Sequence, residues 1–328
     1  MILVTGGAGF IGSNLVAALQ ERGETEIVVV DRLREGIKWR NVAKRELADL
    51  ITPEQLPAFL ERNRSAIDVI FHMGAISATT ERDADKIVAN NLRLSLDLFE
   101  WCARFGVRLI YASSAATYGD GTRGFKDEGS CEALAQLRPL NAYGWSKLAF
   151  DRRVARLVRE GSPTPPQWAG LKFFNVYGPN EYHKDEMKSV VAKTYPKAAA
   201  GEQAVLFRSH HPDYADGGQL RDFVWVGDCV DVMLWLEEHP EVSGLFNCGS
   251  GKARSFLDLA KAVYAALGTE PVIEFVDTPV EIRDKYQYFT EADMAKLRAA
   301  GYTGEGTSLE RGIGTYVTEY LGQADPHR

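Results

Sequence analysis

The sequence predicts an α/β fold, a doubly wound parallel sheet joined to a smaller, partly discontinuous α/β domain. Two observations carry this. Over roughly the first 113 residues, short apolar runs alternate with longer amphipathic stretches, the rhythm of strands joined by crossover helices. Beyond about Leu171 the rhythm becomes irregular, with a loop over Gly178–Glu186 and a polar stretch, Arg208–Gln219, rich in His, Asp and Gly. A chain of 328 residues accommodates two domains, expected over 1–170 and 171–328, with segments near 220–250 returning to the first.

In order, Ile2–Thr5 reads as a strand and about Ile11–Arg22 as a helix; Ile27–Asp31 is the second strand and Pro53–Arg62 a helical stretch. Val69–His72 is the third strand, Ile87–Arg104 a helix and Arg108–Ser113 the next strand. Later, Phe223–Val226 runs into a helix near Cys229–Glu238, and Gly244–Cys248 is followed by a Gly loop and a helix capped at Ser255. Such sheets bind ligands beyond the carboxyl ends of their strands, so the residues closing these runs are the candidates.

Composition narrows the function classes. With 45% hydrophobic and 25% charged residues the chain is neither disordered nor collagenous. A net charge of −7 gives no global basic field for nucleic acid or an anionic membrane, so local groups must meet any phosphate. Cys102, Cys131, Cys229 and Cys248 lack C-x-x-C spacing and read as reduced thiols, and His210-His211 lack flanking ligands, so no metal is expected. The N-terminus enters an apolar strand without a charged leader and cleavage site, and no apolar run approaches a membrane span of ~20 residues. The expected location is cytoplasmic.

Thr5-Gly6-Gly7-Ala8-Gly9-Phe10-Ile11-Gly12 follows a predicted strand and opens a predicted helix, the context of a Rossmann-type dinucleotide fingerprint. Its glycines let the backbone approach a pyrophosphate, which then sits on the amides of the helix N-terminus. Asp31 closes the second strand nineteen residues after Gly12, where an acid binds ribose hydroxyls and argues for NAD. Arg32, Arg34 and Lys38 follow at once, either as a solvated basic loop or as cations neutralising the 2′-phosphate of NADP. On this chemistry alone both cofactors stand.

Tyr143-Gly144-Trp145-Ser146-Lys147 places a phenol and an ammonium four apart, on one face of a helix. The ammonium is expected to move the phenol toward the range of a general base. Upstream, Leu109–Gly119 is a strand ending in Ser113 and Ser114, where a hydroxyl can meet a substrate oxygen beside the tyrosine or simply close an ST-turn. Arg221 offers a fork for a diphosphate, or an ion pair with a neighbouring Asp.

The fingerprint, the strand-end serine and Y-x-x-x-K, in this order, resemble the extended short-chain dehydrogenase/reductase superfamily. Arg221–Asp228 and Phe246–Gly251 look like its later motifs, so the resemblance spans essentially the whole chain. Ala115-Ala116 stand where dehydratases carry an Asp-Glu pair, which disfavours dehydration. Phe173–Lys184, Ser113–Gly119 and Lys285–Asp293 look like the ADP-L-glycero-D-manno-heptose 6-epimerase branch.

That resemblance implies oxidation and re-reduction at C6 of an ADP-heptose with NADP, for lipopolysaccharide core precursors, in a homo-oligomer such as a pentamer. It makes Tyr143 and Lys184 opposed acid-base groups, with Lys147 holding Tyr143 and the nicotinamide ribose, and Ser114 polarising the C6 oxygen. Without it, Lys184 in a His-Lys-Asp-Glu run reads as a solvated charge. It also implies cofactor contacts from Met73, Gly74, Ala75, Ile76, Ser77, Asn90 and Val176. Substrate contacts are implied for Asn175, Glu186, Lys193, Phe207, Arg208, Ser209, His210, Arg221 and Tyr286. Glu186 and Lys193 replace a small hydroxyl residue and a His of the branch, and Pro53 replaces a Lys near the adenine. The alternatives are a UDP-hexose 4-epimerase, a nucleotide-sugar reductase, or a non-catalytic dinucleotide sensor; the last commonly loses the Tyr or Lys that this chain keeps.

Overall fold

The computed structural model describes residues 1–283 and 286–328, so Lys285 of the Lys285–Asp293 motif lies outside the described residues. The strands are β1 Ile2–Thr5, β2 Ile27–Val30, β3 Asp49–Ile51, β4 Val69–His72, β5 Arg108–Ser114, β6 Trp168–Phe173, β7 Asn175–Tyr177, β8 Ala204–Phe207, β9 Leu220–Trp225, β10 Gly244–Cys248, β11 Ala253–Ser255 and β12 Ile273–Val276. Seven form one parallel sheet in the order β10-β6-β5-β4-β1-β2-β3. Its inner strands are continuous apolar runs, IVVV in β2 for example, because helices cover both faces. One core, with Leu3, Phe99 and Phe150, lies on one face; another, with Val4, Leu15 and Met233, lies on the other.

The chain leaves this sheet at Phe174, whose N–H still donates to the Cys248 carbonyl at 3.1 Å. There β7 starts a three-stranded sheet, β11-β9-β7, and β8 pairs with β12. A third core, with Val191, Leu259 and Tyr316, sits beneath them.

Two expectations need amending. Of the later segments, β10 does return to the main sheet beside β6, but β9 pairs with β7 and β11 instead. The Ile87–Arg104 helix is in fact Ala84–Ile87 and Leu94–Phe105 joined by a wider i→i+5 stretch, Val88–Arg93, of the kind that marks functional sites. The short β3 carries no apolar run long enough to announce itself. The order of connection reverses between β1 and β4, and the cleft there receives the loops after both.

Candidate active site

Two cavities lie at this end of the described fold. The larger, about 690 Å³, runs along the carboxyl ends of β1, β2, β4 and β5. Every residue expected to touch the cofactor lines it: Gly6, Gly9, Phe10, Ile11, Gly12, Asp31, Arg32, Lys38, Met73, Gly74, Ala75, Ile76, Ser77, Asn90, Lys147, Val176 and Lys184. Tyr143 and Ser114 share it.

The fingerprint is built for an anion. Gly6 has φ +67° and a Cβ there would come within 2.6 Å of the Gly74 Cα, so the loops after β1 and β4 touch backbone to backbone. Gly9 caps the Phe10–Glu21 helix with no side chain on its amides and no acid in the first turn. These free donors at a positive helix end suit a pyrophosphate. At the end of β2, Asp31 accepts the Ala8 N–H at 3.0 Å and pairs with Lys38 at 2.5 Å. Arg32 donates to Glu54 at 2.9 Å and to Asn90 at 3.2 Å.

The helix that carries Tyr143 and Lys147, Ala142–Arg159, begins at Asn141, whose side chain accepts the Gly144 N–H at 2.8 Å. A Cβ on Gly144 would meet the Ala116 carbonyl at 2.7 Å, so glycine lets the helix close on the end of β5 and bring Tyr143 to Ser114. Burial pushes the Tyr143 phenol above its ordinary value, and a hydrogen bond with Ser114 opposes that. The expected lowering of the phenol is not found, because burial outweighs it; Lys147 Nζ donates to the Ala112 carbonyl at 2.7 Å. Burial brings Lys147 itself down to about 8, with the Asp151 charge opposing. Lys184 is likewise lowered by burial, opposed by Glu181. Its Nζ lies 5.3 Å over the Phe10 ring, inside the cavity rather than in solvent.

The second cavity, about 670 Å³, lies between the Val190–Ala199 helix and β8; Glu186, Lys193, Phe207 and Tyr286 line it, with Phe256 and Gln219. Glu186 and Lys193, two of the three departures, pair with each other at 3.2 Å, while the third, Pro53, lines the larger cavity. Asp185 borders both cavities, which puts them side by side. Arg221, 8% exposed, stacks over Tyr286 and Phe256 at 5.4 and 5.7 Å and donates to the Leu220 carbonyl at 2.8 Å.

The remaining expected contacts are not gathered there. Asn175 is exposed on β7 and lines neither cavity. Arg208 pairs with Asp277 at 3.4 Å, while the Ser209 and His210 amides donate to Asp216 and to the Tyr288 hydroxyl. Sequence reasoning missed Glu81, Lys86, His183 and Met187 in the larger cavity. Only His183 carried a signal, its place beside Lys184.

A model of the "NAD dependent epimerase/dehydratase family" matches residues 2–249. The ADP-L-glycero-D-manno-heptose-6-epimerase of Nitratidesulfovibrio vulgaris (strain Hildenborough) is 52% identical, with 100% of each chain covered. That of Fusobacterium nucleatum is 46% identical, again over 100% of each. Among solved structures, the Helicobacter pylori ADP-L-glycero-D-manno-heptose-6-epimerase superposes with a TM-score of 0.78 at 29% identity, covering 97% of this chain and 95% of that one. The Thermus thermophilus UDP-glucose 4-epimerase, solved with NAD, gives 0.72 at 27%, covering 95% and 96%.

Proposed function

This chain belongs to the NAD dependent epimerase/dehydratase family, and from that premise we propose its reaction: inversion at C6 of the heptose in ADP-D-glycero-D-manno-heptose, giving the L-glycero epimer. The observation that carries this is full-length identity of 52% to an enzyme of that name, joined to a cleft that holds Tyr143, Ser114 and Lys184 together. A 4-epimerase is not favoured, since its representative is the more distant at 27%.

Gly6, Gly9, Gly12 and the free amides of the Phe10–Glu21 helix would hold the cofactor's pyrophosphate, with Asp31, Arg32 and Lys38 at its adenosine end and Lys147 at the nicotinamide ribose. When bound, the nicotinamide supplies a hydride acceptor and donor for one carbon. Tyr143 takes the proton from the C6 hydroxyl as the bond to hydrogen breaks, and Ser114 donates to the oxygen that becomes a ketone. The side chain of the sugar then turns, and the opposite face of C6 needs a second proton carrier. Lys184 fills this role: burial lowers its ammonium, so it exchanges a proton more readily than a solvated lysine. The second cavity takes the nucleotide, with Arg221, stacked behind its lining residues Tyr286 and Phe256, serving the diphosphate.

The same reading carries NADP over NAD, because Lys38 already neutralises Asp31 and Arg32 stands beside it. It also carries a cytoplasmic role in lipopolysaccharide core precursor supply and a homo-oligomeric, pentameric assembly. No described helix is long and apolar enough to cross a membrane. The test is to supply substrate deuterated at C6 in ordinary water. Return of the same hydride retains deuterium in the L-glycero product; loss of the label to solvent would mean deprotonation at carbon and would refute the oxidation route.

A further inference from the structure

Lys184 sits in the short turn Tyr182–Met187, where its N–H donates to the Glu181 carbonyl at 3.0 Å. Asn180 and Asp185, on either side, have φ of 71° and 45°, a left-handed conformation that persists in such residues only where the surroundings impose it. The surroundings converge on Asn41, which is 1% exposed and closes the short turn Lys38–Asn41. Its side-chain amide donates to the Ala8 carbonyl at 2.9 Å and to the Asn180 carbonyl at 3.0 Å, with His183 Nδ1 at 3.2 Å. Ala8 lies inside the glycine fingerprint, and Lys38, at the other end of the same turn, holds Asp31. Further bonds pin the turn: Asn180 donates to the Ser13 hydroxyl at 3.0 Å, and Asn14 donates to the Pro179 carbonyl at 2.9 Å.

We propose that Asn41 is a positioning residue that ties the Lys184 turn to the fingerprint, so that the backbone receiving the cofactor also sets the second proton carrier. This rests on the epimerase reading above. Two amide protons meet two carbonyls from distant segments, which an aspartate cannot do because it brings no donor. Alanine leaves both buried carbonyls short of a partner and removes the tie between the turn and Ala8, so the remaining bonds from Ser13 and Asn14 hold Lys184 less closely over Phe10. Small displacements of a reacting group are costly, so the consequence falls on turnover.

The test is a double-mutant cycle of Asn41→Ala with Lys184→Ala, read as kcat, KM and affinity for NADPH by fluorescence titration. Asn41→Ala is expected to lower kcat about tenfold or more, with KM and NADPH affinity within about threefold. On the Lys184→Ala background it should cost nothing further, because Asn41 acts through Lys184. Losses that multiply in the double variant, or full kcat in Asn41→Ala, would overturn the proposal. Asn41→Ser, which keeps one donor, should fall between wild type and alanine and supplies the same cycle if Asn41→Ala does not fold. Full kcat in Lys184→Ala alone would instead defeat the assignment of Lys184, a separate result.

Discussion

The Lys172 ammonium lies 2.9 Å from the Asp151 carboxylate, and neither side chain is exposed at all. Asp151 also accepts the Ser113 hydroxyl at 2.7 Å, and Lys172 donates to Thr117 at 2.8 Å, so the pair braces the strand end that carries Ser114.

Removing one partner should therefore be worse than removing both. Lys172→Met leaves an unpaired buried carboxylate and is expected to cost ~3–5 kcal/mol. Adding Asp151→Asn should restore part of that loss in urea denaturation. Equal or additive losses would show that the charges are not paired in solution.

His72 makes a pH prediction. The Ser95 hydroxyl donates to the Asn91 carbonyl at 2.6 Å, so His72 Nε2–H donates to Ser95 at 2.8 Å and the Thr5 hydroxyl donates to His72 Nδ1 at 2.6 Å. Burial, helped by the Lys147 charge, holds the ring neutral down to about 3, against 6.5 when free. The unfolded chain thus binds the extra proton between these values, and stability falls as pH drops through that window, by up to ~1.4 kcal/mol per pH unit from this group. His72→Gln should be less stable at pH 7.5 and show a shallower fall in melting temperature toward pH 4.5. An unchanged slope would contradict the buried neutral ring.

Much of this site was legible because its motifs sit at strand ends. The fingerprint, Asp31 and Tyr143/Lys147 are local patterns whose spacing dictates where they fall on a strand or helix. Lys184 was not legible from its own surroundings, since a charge in a polar run looks solvated; only the family pattern gave it a role. Asn41, Asp151 and Lys172 are invisible for another reason: their partners are distant in sequence, and no periodicity records a tertiary hydrogen bond. Asn175 and Arg208 show the converse, being expected by analogy yet lining neither cavity.

Arg32 tests the cofactor preference. Its guanidinium beside Glu54 holds that carboxyl down to about 2, so the cation is at hand but engaged. Arg32→Ala should weaken NADPH binding by about tenfold or more, the scale of a charged hydrogen bond, and NADH by less than about threefold. Fluorescence titration with both cofactors checks this, and equal losses would count against a 2′-phosphate contact.

Lys147 sets a basic limb. Because burial brings its ammonium down to about 8, kcat/KM of the free enzyme should fall as pH rises through that value and the charge is lost. Lys147→Arg, charged throughout, should retain low activity with that limb displaced upward. A profile flat from pH 7 to 10 in the unaltered enzyme would remove Lys147 from the charge balance of the site.

The most direct test incubates the purified chain with ADP-D-glycero-D-manno-heptose and no added cofactor, following the sugar by NMR and absorbance at 340 nm. The account predicts conversion to the L-glycero epimer without net accumulation of NADPH. No conversion even after NADP or NAD is added, with UDP-galactose turned over instead, would leave the fold standing and contradict the substrate.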